Sequence, residues 1–266
     1  MRSIAIMNLK GGVGKTTTAV NVSAALAATG LKVCLIDVDP QAHASLHLGV
    51  ETYNKSDSVY EVLVGKKELR NIRRHVSENL WVVPAHLELA LAEMHLAGVP
   101  GREMILRDKL ASDDVPFDYV LIDCPPSLGV LTLNALTAVD EVFIPLQPQF
   151  LPLQGLSAQL QTIELVAKRL NNRLMLSGVV VCMYDDTRLA SEVVQDVDSF
   201  FQQEQTEPTV WSQAQIFQTK IRRNVRLAEA SSQGKPIFDY DPNSNGSEDY
   251  RRLTEEIIGQ AIGVGG

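Results

Sequence analysis

Cysteine is scarce and unpaired: Cys34, Cys124 and Cys182 are the only three in 266 residues, each alone in or beside an apolar run. That spacing gives no disulfide framework, no zinc motif and no bridging pair for an iron–sulfur cluster; it suits buried thiols in a reducing compartment. Aromatic residues make up only 6% of the chain. Trp81 and Trp211 stand without clustered aromatic partners, so packing or an interface is expected of them rather than a cage or a base-stacking surface. No apolar run approaches the length of a membrane span. Met1-Arg2-Ser3 leads straight into a strand pattern, with no charged leader and cleavage site, and the expectation is a cytoplasmic protein. Positive charge is also in deficit, with 24 Lys and Arg against 32 Asp and Glu and a net charge of −8. Binding to nucleic acid through overall charge is thereby excluded, and only a local basic patch remains possible.

What the chain does contain is enough apolar matter for a full core, 45% of its residues. Ser3 to Leu9 and Lys32 to Val38 are continuously apolar strands, and between them Thr16 to Ala28 carries Ala and Leu at helical spacing. Continuous rather than alternating apolar runs are what parallel strands buried on both faces require, so a βαβ unit is expected. The same grammar returns in strands at Leu80-Pro84, Tyr119-Asp123, Glu141-Pro145 and Leu176-Cys182. Helical intervals fall at Glu88-His95, Leu131-Ala138, Gly155-Leu170, from near Leu189 to Gln203, and Tyr250-Ile262. Lys235-Pro236-Ile237, Asp241-Pro242-Asn243 and Asn243-Ser244-Asn245-Gly246 are turn-like. There is no internal repeat and no long linker. The expected architecture is α/β: one domain over residues 1–262, a doubly wound and mostly parallel sheet flanked by helices, then a flexible glycine-rich tail over 263–266.

The decisive segment is Lys10-Gly11-Gly12-Val13-Gly14-Lys15-Thr16-Thr17, between an apolar strand and a helix. Glycines let successive N–H groups turn inward around an anion, and the helix start adds unsatisfied donors and a favourable dipole. In such a loop Lys15 reaches the β- and γ-phosphates of a nucleotide and the Thr16 hydroxyl sits on Mg²⁺. The leading glycine of the ordinary phosphate loop is replaced by Lys10. A lysine among glycines has no apolar surface to cover; it is either a solvated surface residue or a second positive charge aimed at phosphates, including those of a facing subunit.

Two further segments end apolar strands with acids, at the edge where open α/β sheets place their ligands. The two carboxylates of Asp37-Val38-Asp39-Pro40-Gln41 are expected to serve different roles. Asp39 is the candidate for positioning an attacking water, with Asp37 supporting it or near the magnesium shell; alternatively either acid caps the following helix. Asp123 ends the strand of Phe117-Asp118-Tyr119-Val120-Leu121-Ile122-Asp123, where a carboxylate is costly unless a cation or donors satisfy it, and is the candidate magnesium-shell acid. A helix cap or salt bridge is its alternative. Cys124 has no neighbouring His and is not expected to act as a nucleophile.

Taken together, the Lys10–Thr17 loop, Asp37-Val38-Asp39-Pro40-Gln41 and Val120-Leu121-Ile122-Asp123-Cys124-Pro125-Pro126-Ser127 resemble the deviant-Walker ATPases of the ParA/Soj partition family, related to MinD. The carboxyl half resembles the short, chromosomal form through Val181-Cys182-Met183-Tyr184-Asp185, Thr187-Arg188-Leu189, Ile221-Arg222-Arg223-Asn224-Val225-Arg226-Leu227-Ala228-Glu229-Ala230 and Gly234-Lys235-Pro236-Ile237. The resemblance implies ATP and Mg²⁺ as cofactors. It makes Lys10 the signature lysine reaching across a nucleotide sandwich dimer, Gly11, Gly12, Val13, Gly14 and Lys15 the phosphate cradle, and Thr17 a further phosphate contact. Thr16 and Asp123 become the metal-linked pair, and Asp39 the acid on which hydrolysis depends. It further implies an ATP-dependent homodimer that binds double-stranded DNA nonspecifically, associates with the nucleoid, and lets go after hydrolysis stimulated by a ParB-like partner, so driving chromosome or plasmid partitioning. Positioning of protein cargo by the same chemistry, or an ATP-gated regulatory protein with negligible turnover, are the alternatives.

The chain departs from the family pattern in Ala42-His43-Ala44-Ser45 just past Asp39, in Arg222 where many members have proline, and in the order of Asp185-Asp186-Thr187-Arg188. Lys220, Arg222, Arg223 and Arg226 form the densest basic cluster, suited to phosphate contacts without sequence reading, or else to a solvated arginine face. Arg188 and Arg223, and with them Arg226, are the DNA candidates that the resemblance supports. His43 and His47, four apart, suit partly exposed positions on a helix better than a metal site. The apolar stripe of Leu253, Ile257, Ile258 and Ala261 is followed by almost no basic residue and suits a packed terminal helix rather than a membrane anchor.

Overall fold

The computed structural model describes residues 1–149, 152–204 and 209–263, so residues 264–266 of the expected tail lie outside the described residues. Eight strands form one sheet: β1 Arg2–Ile6, β2 Val33–Asp37, β3 Arg74–Ser77, β4 Leu80–Val83, β5 Tyr119–Asp123, β6 Glu141–Leu146, β7 Met175–Val181 and β8 Gln215–Ile216. Their order is β3-β4-β2-β5-β1-β6-β7-β8, with only β3 antiparallel to its neighbour. Successive side chains of each central strand point to opposite faces, which divides the apolar residues into two cores. Ile4, Ile6, Leu35, Leu121 and Phe143 face one side, against Val20 and Leu26 of the Lys15–Ala28 helix and Tyr250, Leu253 and Ile257 of the Asn245–Gly263 helix. Ala5, Ile36, Val120, Ile122 and Ile144 face the other, against the helices Val130–Ala138, Pro152–Arg169 and Arg188–Glu204. The stripe at the carboxyl end therefore packs into a core.

The expected β1-helix-β2 unit is parallel, but its strands are not neighbours, because β5 pairs with both. This insertion sets Asp123 in register with Ile6 on one side and Asp37 on the other. The loops after β1, β2 and β5 thus leave the same edge side by side, the crevice where a doubly wound sheet binds ligands.

Element boundaries shift where side chains bond the backbone locally. The last helix begins at Asn245 rather than Tyr250, since Ser244 Oγ accepts the Ser247 N–H at 3.2 Å and caps it. Thr187 Oγ1 likewise accepts from Ala190 N at 3.2 Å at the start of Arg188–Glu204. The interval expected as one helix at Glu88-His95 is a 3₁₀ turn over Leu87–Leu91, started by His86 Nδ1 accepting from Glu88 N, followed by the short helix Ala92–His95. Joining the expected turns at Lys235-Pro236-Ile237 and Asp241-Pro242-Asn243 is a four-residue helix, Ile237–Tyr240. Strands β3 and β8 carry no apolar run: one is largely exposed and the other is two residues long.

Candidate functional site

The loop after β1 is shaped by two glycines with positive φ, Gly12 at 73° and Gly14 at 95°, a region L side chains rarely occupy. At Gly14 space is closed as well, because a Cβ there would lie 3.3 Å from Cys182 Sγ. Gly14 is also the N-cap of the Lys15–Ala28 helix and offers no side-chain oxygen, so the first turn's N–H groups are left for a ligand. Thr18 N–H alone returns to Gly14 O, at 2.9 Å.

Lys15 is 7% exposed and its Nζ donates to the Lys10 carbonyl at 3.2 Å. Burial lowers its pKa, while the carboxylates of Asp123 and Asp39 oppose that fall. Asp123 is fully buried. Its Oδ2 accepts from Thr16 Oγ1 at 2.8 Å, and its Oδ1 has no hydrogen-bond partner among the described residues. Burial first, then the neighbouring Asp37, raise its pKa well above the usual carboxylate range. A buried carboxylate oxygen with no donor, on the same side chain that holds the Thr16 hydroxyl, fits a divalent cation or its water. Hard oxygen donors are the chemistry magnesium takes.

The two acids do take different partners, but only because β2 ends at Asp37: a strand continued through Asp39 would have placed both carboxylates on one face. Asp37 Oδ2 accepts from Ser45 N at 2.8 Å and Ser45 Oγ at 2.7 Å, and Oδ1 accepts from Asp39 N at 3.1 Å. Its oxygens are spent on the turn and the short helix His43–His47, which is the capping role, although burial still pushes its pKa up to about 6. Asp39 is 7% exposed; its Oδ1 accepts from Gln41 N at 2.9 Å, and it lies near enough to Lys15 to act on its charge. The Ser45 that departs from the family pattern is therefore the residue that anchors Asp37. Cys124 is buried, and burial together with Asp123 pushes its thiol far above the range of a nucleophile.

The Lys10 Nζ donates to Gln149 Oε1 at 3.3 Å in an exposed position. Its backbone N–H donates to Asn8 Oδ1 at 2.9 Å. Asn8 and Gln149 escape sequence reasoning, the first although a polar residue two places before Lys10 at the end of an apolar strand is itself a signal. A cavity of about 420 Å³ adjoins the loop, lined by Gly14, Thr17, Met183, Val225, Leu227 and Tyr250.

The basic cluster divides. Arg222 donates from Nε and Nη2 to Asp249 and from Nη2 to Glu248, with contacts from 2.6 to 3.1 Å; Asp249 is 3% exposed, so the part-exposed Arg222 is a structural brace. Lys220 Nζ lies 4.4 Å from the Tyr184 ring centroid. Arg188, Arg223 and Arg226 remain at the surface, Arg188 beside Glu192, Arg223 beside Asp185, and Arg226 beside Glu229 and Asp241. His43 is exposed as expected, but His47 is not: it is 2% exposed, and burial lowers its pKa to about 4. It lies on the inward side of a five-residue helix, too short for spacing alone to assign a face.

These features define a phosphate-loop nucleotide-binding protein of the doubly wound class, with a lysine in the leading place of its loop. Residues 1–176 match the AAA domain family. The chain is 45% identical to the sporulation initiation inhibitor protein Soj of Bacillus subtilis, over 96% of this chain and 97% of that protein. It is 41% identical to the chromosome-partitioning ATPase Soj of Treponema pallidum, over 97% of both. Among solved structures, cobyrinic acid a,c-diamide synthase from Mycobacterium smegmatis with bound ADP and magnesium superimposes with a TM-score of 0.80 at 35% identity, covering 97% of this chain and 94% of that one. The chain belongs to the Soj/ParA family of chromosome-partitioning ATPases.

Proposed function

We propose that this protein is a Mg²⁺-dependent ATPase that dimerises around ATP, binds double-stranded DNA nonspecifically in that state, and is reset by hydrolysis that a ParB-like partner stimulates, so partitioning a chromosome or plasmid. The observation that carries this reading is the union of an uncapped helix start, buried Lys15 and the unpartnered Asp123 Oδ1 within one crevice. The relatives named for chromosome partitioning, at 41%, 42% and 43% identity, are also more similar than the diamide synthase at 35%.

Magnesium–ATP, when bound, supplies the scissile phosphoanhydride and the metal charge. The loop N–H groups from Gly11 to Thr17 fix the phosphates, and Lys15 neutralises charge on the β and γ positions. Thr16 and Asp123 supply oxygen ligands to the metal or its water. Asp39 orients the attacking water by accepting its hydrogen bond. Lys10, whose exposed ammonium bonds Gln149, exchanges that contact for the phosphates of a second copy. The cavity beside Gly14 and Thr17 suits the base and ribose. Arg188, Arg223 and Arg226 contact DNA phosphates: their exposed ion pairs are worth roughly 0–1 kcal/mol each, so a phosphate exchanges with the acid at little cost. Such a protein is expected in the cytoplasm, on the nucleoid.

The test is a DNA-binding titration with ATP, ADP and a slowly hydrolysed analogue at several salt concentrations. Binding is expected with ATP and the analogue, weakening steeply as salt rises. Equal binding in every nucleotide state would overturn the switch.

A further inference from the structure

Behind the loop lies a chain of side-chain amides whose orientations are determined one after another. Asn8 is 6% exposed and bonded to two backbone groups of opposite kind: Oδ1 accepts from Lys10 N at 2.9 Å, and Nδ2 donates to Pro145 O at 2.7 Å at the end of β6. A flipped amide would oppose oxygen to oxygen and N–H to N–H, so this orientation is the only one that satisfies both. Asn8 Oδ1 therefore also faces Gln159, 3% exposed on the Pro152–Arg169 helix, which must present its NH₂ group. Gln159 Nε2 donates to Asn8 Oδ1 at 3.1 Å and to Gly155 O at 3.2 Å. Its Oε1 is left buried with no partner among the described residues, which makes the pair costly unless its arrangement is used.

We infer that Asn8 and Gln159 are positioning residues for Lys10: a buried amide clamp that ties the backbone of the signature lysine to β6 and to the Pro152–Arg169 helix, and so aims its ammonium at the facing subunit's nucleotide. The clamp rests on the role proposed above for Lys10. Thr16 and Asp123 bond each other and not the clamp, and Lys15 meets it only through the Lys10 carbonyl. Disturbing it separates the two lysines' contributions. Nucleotide binding by the chain's own loop persists, while the step that needs a correctly aimed Lys10 is lost, since misplacement of a charged group by about 1 Å is enough to cost a large factor in rate.

Gln159→Glu is the sharp variant. Its carboxylate faces Asn8 Oδ1 and favours the flip of Asn8 that breaks the bonds to Lys10 N and Pro145 O together. Gln159→Met, of similar shape, removes the two bonds that Gln159 donates and leaves Asn8 in place. In the full-length protein, Gln159→Glu is expected to speed hydrogen–deuterium exchange in the peptide spanning residues 8–14. It should lower ATP turnover about tenfold or more, keep affinity for a fluorescent ATP analogue within about threefold, and exceed Gln159→Met in both effects. Unchanged exchange at residues 8–14 in the glutamate variant would overturn the clamp. So would affinity and turnover falling in parallel in both variants, the pattern of a merely structural defect. Lys10→Ala is measured beside them: normal turnover in that variant would sink the role of Lys10 itself, while the exchange experiment would still decide whether the clamp exists.

Discussion

Asp123 and Asp39 stand within one crevice but carry opposite costs. Asp123 is fully buried, faces Asp37 across the β2–β5 register, and has one oxygen without a donor. An unpaired buried carboxylate weakens the nucleotide-free fold and is retained for what it binds. Asp123→Asn is therefore expected to stabilise the protein without nucleotide by about 1–3 kcal/mol, seen as a higher urea midpoint, while Mg²⁺-dependent turnover collapses. A lower midpoint would show that Asp123 is structural. Asp39, bonded to the Gln41 N–H at the rim, offers the complementary case. Asp39→Ala should bind a fluorescent ATP analogue with near-normal affinity yet release almost no phosphate, whereas Lys15→Ala should lose binding itself. Phosphate release at the normal rate by the Asp39 variant would remove that residue from the hydrolytic step.

Among the elements, the short helix His43–His47 is held at both ends, by Asp37 on Ser45 at its start and by buried His47 at its finish. A helix of five residues has no stability of its own, so these two contacts and its packing set its place beside Asp39. Burial lowers the pKa of His47 to about 4 from 6.5, against a weaker opposing hydrogen bond with the Lys235 backbone. The unfolded chain then binds more protons than the folded one between those values. Stability is full above about pH 6.5 and is lost as pH falls towards 4, by at most about 3 kcal/mol. His47→Leu should flatten that loss, as measured by urea midpoints at pH 7 and at pH 4.5; an unaltered pH dependence would mean that other groups dominate. Arg222 ties the segment before the Val225–Ser232 helix to Asp249 on the Asn245–Gly263 helix. Arg222→Ala leaves the buried Asp249 without its charged partner, though still accepting from the backbone N–H of residue 222, at a cost of about 1–3 kcal/mol. Loss of DNA binding with no change in stability would place Arg222 at the surface interface instead.

At the scale of the whole molecule, the two cores hold the sheet rigid and leave the ligand-facing loops on one edge. Ligand that binds only the folded state should raise its stability by about 2.7 kcal/mol at a hundredfold excess over Kd, which for a domain of this size is a shift of roughly 5–10 °C in Tm. Magnesium–ATP is expected to give that shift in the native protein and none in Lys15→Ala. An equal shift in both would mean that nucleotide binds away from the loop.

Features whose cause is local were legible in the chain alone. Glycines that permit a turn around phosphate, apolar runs buried on both faces, and acids ending strands are properties of neighbouring residues, and from them the doubly wound class and the positions Lys10 to Thr17, Asp39 and Asp123 could be named. Contacts between distant segments were not legible. That β5 inserts between β1 and β2 and brings Asp123 against Asp37, that Arg222 is tied to a buried acid while Arg223 meets an exposed one, that His47 faces inward, and that Asn8 meets Gln159 across 151 positions were decided by tertiary packing. The physical reason is that burial and partner choice depend on which faces meet in space, and a spacing of three or four residues does not record that.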